Sequence, residues 1–415
     1  MLCGMQQHDG PLARLRRGHE ELVLDLLRRH GPLSRAELGA RCGLSRTTLY
    51  DIVGDLAATG AVVASVPDAG QRRRGRPVER LALDPAAGQA IGIDLARRAV
   101  HVAVVNVAHE VVGTTSRAHA PELDLAGRVA LVEEMVDELS GDSLRLAALR
   151  AIGVGVVGPV ASAPAGPGDA PNAPGAPGFP GTPGAGGHRD ALAGLLAKRL
   201  GAPVLVDNNT RLAALAESVW GAAADARDVL YVRLSHGVGG GLVVDGALHH
   251  GVSGLSGEFG HISVEPRGRR CQCGGTGCLE TVASAGAVLE AYRAAGGVAD
   301  DIAAVTAAAL AGEPAAVGVV AAAGRRVGTA LAAVCNAIGP STVVVGGELV
   351  AAGAALTDQV RAALAEGLMP VARPLLDLRP AVLGEGGAAL GGIALVLHRS
   401  PLLSRYPNRE DGDQS

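Results

Sequence analysis

The sequence predicts an α/β body in two similar lobes, preceded by a small helical head that ends in a β-wing. Three observations predict it. Residues 20–83 carry apolar helical periodicity punctuated by caps and turns, followed by two short β runs. From Gln89 onward apolar β runs alternate with helical stretches, the pattern of layered α/β folds. A related strand order recurs after Val229, which implies a second lobe and a ligand cleft between the two. A chain of 415 residues is long enough for two or three cores. Hydrophobic residues at 48% and charged residues at 19% exclude a largely disordered chain. Aromatics are only 2%, so Ala, Val, Leu and Gly must build those cores.

The head is read as a winged helix-turn-helix. Leu22, Val23, Leu26 and Leu27 mark one face of a first helix closed by Gly31 and Pro32. Ser34 and Glu37 form a capping-box pattern that opens a second helix, Arg35 to Arg41. After the turn Cys42-Gly43-Leu44, Ser45 can cap a third helix that buries Leu49, Ile52, Val53 and Leu56 at i, i+3, i+4 and i+7. Ser45, Arg46, Thr47, Thr48 and Tyr50 stand near its start, the part of a recognition helix that enters the major groove. Ala61–Val66 and Val78–Leu83 read as strands joined by a tip in which Arg72, Arg73, Arg74 and Arg76 can neutralise phosphates or enter a narrow minor groove. Residues 1–90 hold 13 Arg against 10 Asp or Glu, although the whole chain carries −4. A basic head on an acidic body points to double-stranded DNA as a partner.

In the body, Ala90–Leu95, Val100–Val107 and Val111–Thr115 are expected strands, Glu122–Leu139 a helix and Ala151–Val157 a strand. Residues 158–187 are almost wholly Pro, Gly, Ala and Ser and read as a mobile loop at the cleft mouth. The second lobe repeats the order with Val229–Leu234, a Gly-rich turn at Gly237–Gly241, the strand Gly241–Val244 and a strand at Thr342–Val345. The expected division is a head at 1–83, a first lobe at 84–205, a second lobe at 206–387 and a disordered tail at 404–415. A terminal helix near 388–400 is expected to pack on the first lobe. No apolar run approaches a membrane span and no signal peptide precedes the first helix, so a cytoplasmic protein is expected.

His261, Cys271, Cys273 and Cys278 supply one imidazole and three thiolates, the donor set of a closed, structural zinc site. Gly274, Gly275 and Gly277 let the chain fold back so that the last cysteine reaches the metal. Glu258 and Glu280 bracket the cluster without being needed as ligands, which suggests a shaped binding site beside it.

With head, lobes and cluster in view, the chain resembles the ROK family of repressors and sugar kinases from about Leu12 to Leu397. The likeness is most specific at Glu258-Phe-Gly-His261 and across Cys271–Glu280, and Gly75-Arg-Pro77 is similar to the wing and linker of the family's repressors. The resemblance implies an actin-like (ribonuclease H-like) two-lobed sugar kinase fold behind the winged helix-turn-helix. It also implies that Asn208, Glu258, His261 and Glu280 contact sugar hydroxyls, with Asn209 beside them. His261 would give one ring nitrogen to zinc and the other to the sugar. Two departures separate the chain from the family's kinases. The catalytic Asp position is Asn209, whose amide cannot accept a proton as a base. The phosphate loop after Asp94 reads Leu95-Ala-Arg-Arg98 and lacks glycines, while Gly237–Gly241 and Gly346-Gly347 keep the family's other glycine turns. The expectation is a non-enzymatic DNA-binding regulator, a repressor of carbohydrate genes. It would bind operator DNA as a homodimer or homotetramer and sense a monosaccharide or sugar phosphate. The alternatives are an active ATP-dependent sugar kinase with an attached DNA-binding domain, and a zinc-stabilised scaffold without a ligand.

Overall fold

The computed structural model describes residues 11–58, 60–65, 79–84, 88–140, 144, 149–158, 160, 185–251 and 254–397. The head comprises α1 (Pro11–His30), β1 (Leu33–Ser34), α2 (Arg35–Cys42), α3 (Arg46–Ala58), β2 (Val62–Ser65) and β3 (Arg80–Leu83). Its capping box forms as the sequence requires: Ser34 Oγ accepts the Glu37 N–H at 3.2 Å, and Glu37 Oε2 accepts the Ser34 N–H at 2.8 Å. The predicted stripe of α3 is buried against Val23, Leu24 and Leu27 of α1. That contact corrects the face assigned to α1, because Leu24 is buried while Leu22 and Leu26 are only half-covered. β1 was not legible, since two residues carry no periodicity; it pairs antiparallel with β3 in the order β1-β3-β2.

The first lobe is built on β4 (Gln89–Leu95), β5 (Ala99–Asn106), β6 (Val111–Ala118), α4 (Leu125–Leu139), β7 (Leu149–Val156), α5 (Ala185–Leu200) and β8 (Val204–Asn208). α6 (Asn209–Val219) follows. The second lobe holds β9 (Val229–Leu234), β10 (Val238–Val244), β11 (Ala247–His249), α7 (Glu280–Ala283), α8 (Ala285–Ala294), α9 (Ile302–Leu310), α10 (Pro314–Ile338), β12 (Thr342–Gly346), α11 (Ala354–Gly367) and β13 (Asp377–Pro380). The last helix is α12 (Gly387–Leu397). The sheet orders are β6-β5-β4-β7-β8 and β11-β10-β9-β12-β13. In each, three parallel strands continue into two antiparallel ones, so the sequence echo is a true repeat of topology. α12 lies directly on the first sheet, because Gly92 and Gly153 leave its Ala389 and Gly392 carbonyls no Cβ to meet. Gly391 likewise lets it touch α6 at Leu212.

Four expectations need correction. Gly239, Gly240 and Gly241 belong to β10 and not to a turn, because packing there excludes side chains: a Cβ at Gly240 would strike the Phe259 ring, and one at Gly241 would meet Ala214. Residues 185–187 are not loop but the start of α5, where a first helical turn tolerates Gly-Gly before the apolar residues that follow. The boundary after 205 falls inside β8, a strand of the first sheet. α10 is long and apolar enough to cross a membrane, with mean hydropathy 1.4, contrary to the absence read from the sequence. It packs among α8, α9 and α11 through Val320, Val327 and Leu331, which makes it the core helix of the second lobe. Of the expected 158–187 loop, residues 159 and 161–184 lie outside the described residues, as do 398–415 with the expected tail.

Candidate functional site

A single turn of 3-10 helix, Phe259–His261, brings His261 to the cysteine loop. That loop is folded by short bridges, Ser263 to Cys278 and Arg270 to Thr276, and by the Cys271 N–H donating to the Gly275 carbonyl at 2.8 Å. The structure therefore brings all four predicted ligands together, with their donor atoms within 4.8 Å of one another. His261 Nδ1 lies 3.7 Å from Cys271 Sγ, and Cys273 Sγ lies 3.6 Å from Cys278 Sγ. Tetrahedral zinc with Zn–S near 2.3 Å sets ligand atoms about 3.5–3.8 Å apart, so the donor set fits that ion. Burial pushes the Cys278 thiol up to about 12 and raises Cys271, whereas the Gly275 N–H lowers Cys273. Three converging thiols of this kind become stable thiolates when a cation is among them.

The other imidazole nitrogen, His261 Nε2, faces Glu258 Oε2 at 3.9 Å. Burial raises the Glu258 carboxyl above its usual range; His261 and Arg211 oppose that shift and Glu280 adds to it. Glu258, His261 and Glu280 thus share one cluster. Glu280 Oε2 also accepts the Val238 N–H at 3.0 Å, fixing it to the start of β10.

Asn208 caps α6: its Oδ1 accepts the N–H groups of Thr210 and Arg211 at 2.9 and 3.0 Å, and its Nδ2 donates to the Gly158 carbonyl at 2.7 Å. One amide N–H remains for any other partner. Asn209 Nδ2 donates to Asp94 Oδ1 at 3.2 Å, linking the head of α6 to the end of β4. Asp94 has no exposure, and desolvation raises its carboxyl to about 6 against the pull of the Arg233 charge. Asp207 is held by Arg211 and His250. Burial alone would raise its carboxyl, but the His250 hydrogen bond and the Arg211 charge bring it below its usual range. Arg211 and His250 were missed from the sequence, because Asp207 lies in β8 and Arg211 in α6, so no helical spacing pairs them.

At the head, Ser45 Oγ accepts the Thr48 N–H at 3.1 Å and lies 2.8 Å from Thr48 Oγ1, so these two side chains engage each other. Arg46, Thr47 and Tyr50 are exposed and line a surface depression of about 310 Å³. The guanidinium groups of Arg35 and Arg46 lie over the Tyr50 ring, 5.1 and 5.7 Å from its centre. Arg72, Arg73, Arg74 and Arg76 lie outside the described residues.

Known proteins resemble this chain, among them a repressor, a glucokinase and a regulator of solved structure. The DNA-binding transcriptional repressor Mlc of Escherichia coli is 25% identical over 94% of this chain and 95% of its own length. A glucokinase of Halalkalibacterium halodurans is 38% identical, but the match spans 47% of this chain and 63% of that enzyme. The crystal structure of a ROK family transcriptional regulator, a homologue of the E. coli Mlc protein, superposes with a TM-score of 0.74 at 28% identity, covering 94% of this chain and 98% of that one. The head and the actin-like two-lobed body are therefore one known arrangement. Residues 90–399 match the ROK family, and the chain belongs to it.

Proposed function

We propose that this protein is a DNA-binding transcriptional regulator, a repressor of carbohydrate genes, that senses a monosaccharide or sugar phosphate in the cleft beside the His261 cluster. The observation that carries the reading is likeness to a repressor along nearly the full chain, head included, where the glucokinase match covers under half. The units of the reading are a head at 1–83, a first lobe from 84 through the end of β8 at Asn208, and a second lobe that follows and runs to 387. Arg46, Thr47 and Tyr50, with Ser45 and Thr48 behind them, would read operator DNA, and Arg72, Arg73, Arg74 and Arg76 of the wing would meet phosphates. Symmetric half-sites call for a homodimer or homotetramer. A cytoplasmic location follows from DNA as partner.

Glu258 and Glu280 would accept hydroxyl hydrogens from the sugar, His261 Nε2 would add a third contact, and Asn208 and Asn209 would supply amide groups. Zinc, when held by His261, Cys271, Cys273 and Cys278, would lock the loop that carries these groups and fix the tautomer of His261. An effector that binds the two lobe arrangements unequally shifts the equilibrium between them, and the head with it. Phosphoryl transfer is not expected. Asn209 supplies no base, and Asp207, the carboxylate two residues before it, is occupied by Arg211 and His250.

The 38% identity to a glucokinase favours a second reading, an active ATP-dependent sugar kinase with an attached head. Two assays on zinc-loaded protein separate them. The regulator reading expects binding to DNA from upstream of its own gene at moderate salt and no ADP release over a panel of hexoses and amino sugars. Turnover with any of these sugars establishes the kinase reading, and failure to bind the upstream DNA removes the regulator.

A further inference from the structure

Among the described residues Arg211 is the bulkiest fully enclosed side chain, at 1% exposure, and it sits in the first turn of α6. Its guanidinium has five N–H donors, and four are spent on this fold. Nε and Nη2 donate to Asp207 Oδ1 at 2.8 and 2.5 Å, Nη2 also donates to the Val160 carbonyl at 3.1 Å, and Nη1 donates to the Gly254 carbonyl. The second Asp207 oxygen meets His250 Nε2 at 2.6 Å, and the His250 carbonyl accepts the Ser256 N–H at 3.1 Å. One buried ion pair therefore grips the chain ahead of Glu258 at two points, His250 and Gly254, and the chain leaving β7 at a third. That stretch ends on Gly257, which rests against the Gly240 backbone and delivers Glu258 beside His261.

Buried ion pairs contribute little to stability compared with well-packed apolar residues of similar size. Such a pair earns its place where backbone carbonyls must be set in position, and here the carbonyls belong to the segment that presents Glu258. We infer that Arg211, with Asp207 and His250, forms a positioning assembly that sets Glu258 for effector binding. The inference rests on the sugar-sensing reading and names the residues through which that site is shaped. It also explains why Asp207, two residues before Asn209, is not a substitute base: its oxygens already serve the guanidinium and the imidazole.

The test uses the full zinc-loaded chain and calorimetric titration with D-glucose, D-xylose and N-acetyl-D-glucosamine. Removing Arg211 alone would strand the Asp207 charge, so the neutral pair Asp207→Asn with Arg211→Met is compared with His250→Ala and His250→Gln. Misplacing a contact group weakens binding by about tenfold or more. Both the neutral pair and His250→Ala are expected to lose at least that much sugar affinity. Zinc content and sugar-free binding to upstream DNA should stay at wild-type levels, a split that general unfolding would not give. His250→Gln keeps a donor for Asp207 and is expected to recover most of the loss. If the neutral pair does not fold, the two His250 variants decide. Sugar affinities within about twofold of wild type in His250→Ala overturn the inference. Wild-type protein that binds none of the three sugars, nor a phosphate of any of them, overturns the sugar-sensing reading, and this inference falls with it.

Discussion

Cys273 and Asp94 show how single side chains carry opposite charges of proof. Cys273 is the most exposed of the three thiols, yet it closes the donor set at 3.6 Å from Cys278. Cys273→Ser replaces a thiolate with a hydroxyl that stays protonated. Metal analysis after dialysis is expected to fall from one ion per chain to well under half, and sugar-dependent thermal shifts should vanish with it. Asp94 is enclosed, with its carboxyl raised to about 6 from 3.8. A raised carboxylate stabilises the fold fully below its unfolded value and loses that contribution as pH climbs through the folded value. The wild type should therefore lose up to ~3 kcal/mol relative to Asp94→Asn between about pH 4 and pH 6, with little further change above. Denaturant unfolding of both proteins across that range checks the sign, and a difference that is flat with pH would contradict the burial argument. The cluster of His261, Cys271, Cys273 and Cys278, which could hold a metal ion, was legible because spacing and donor chemistry alone define it. Arg211 and His250 were not, because their roles exist only once Val160 and Gly254 are brought to them by the fold.

The elements teach a similar lesson about what a local pattern contains. The α2 cap and the buried stripe of α3 were readable because Ser34, Glu37 and the four apolar positions act within one or two turns. Ser34→Ala should cost about 1 kcal/mol and lower the melting temperature of the head, read by circular dichroism. β10 was misread because its glycines look like a turn in sequence, while their need comes from Phe259 and Ala214 on other elements. Gly240→Ala places a methyl group against the Phe259 ring and the Tyr231 carbonyl. It is expected to destabilise the second lobe by roughly 1–3 kcal/mol and to weaken zinc retention, because Phe259 begins the turn that bears His261. Unchanged unfolding and full metal content would remove that link.

At the scale of the whole molecule, two sheets of matching topology meet across α6 and α12, and these helices touch both lobes and each other. The repeated strand order made the lobes legible. The terminal helix on the first lobe was also expected, but the close approaches that seat it were not, since they depend on Gly92, Gly153 and Gly391 meeting carbonyls far away in sequence. Such a seam ties the lobes together, and under the proposed sensing a ligand held by Glu258 and Glu280 would act on one side of it. The measurement that bears most directly on the account is anisotropy of labelled upstream DNA, titrated with D-glucose, D-xylose and N-acetyl-D-glucosamine, for wild type and Glu280→Gln. At least one sugar should weaken wild-type DNA binding by about tenfold, while Glu280→Gln binds DNA equally well and ignores that sugar. DNA affinity that no sugar alters in the wild type, or that responds unchanged in Glu280→Gln, would contradict it.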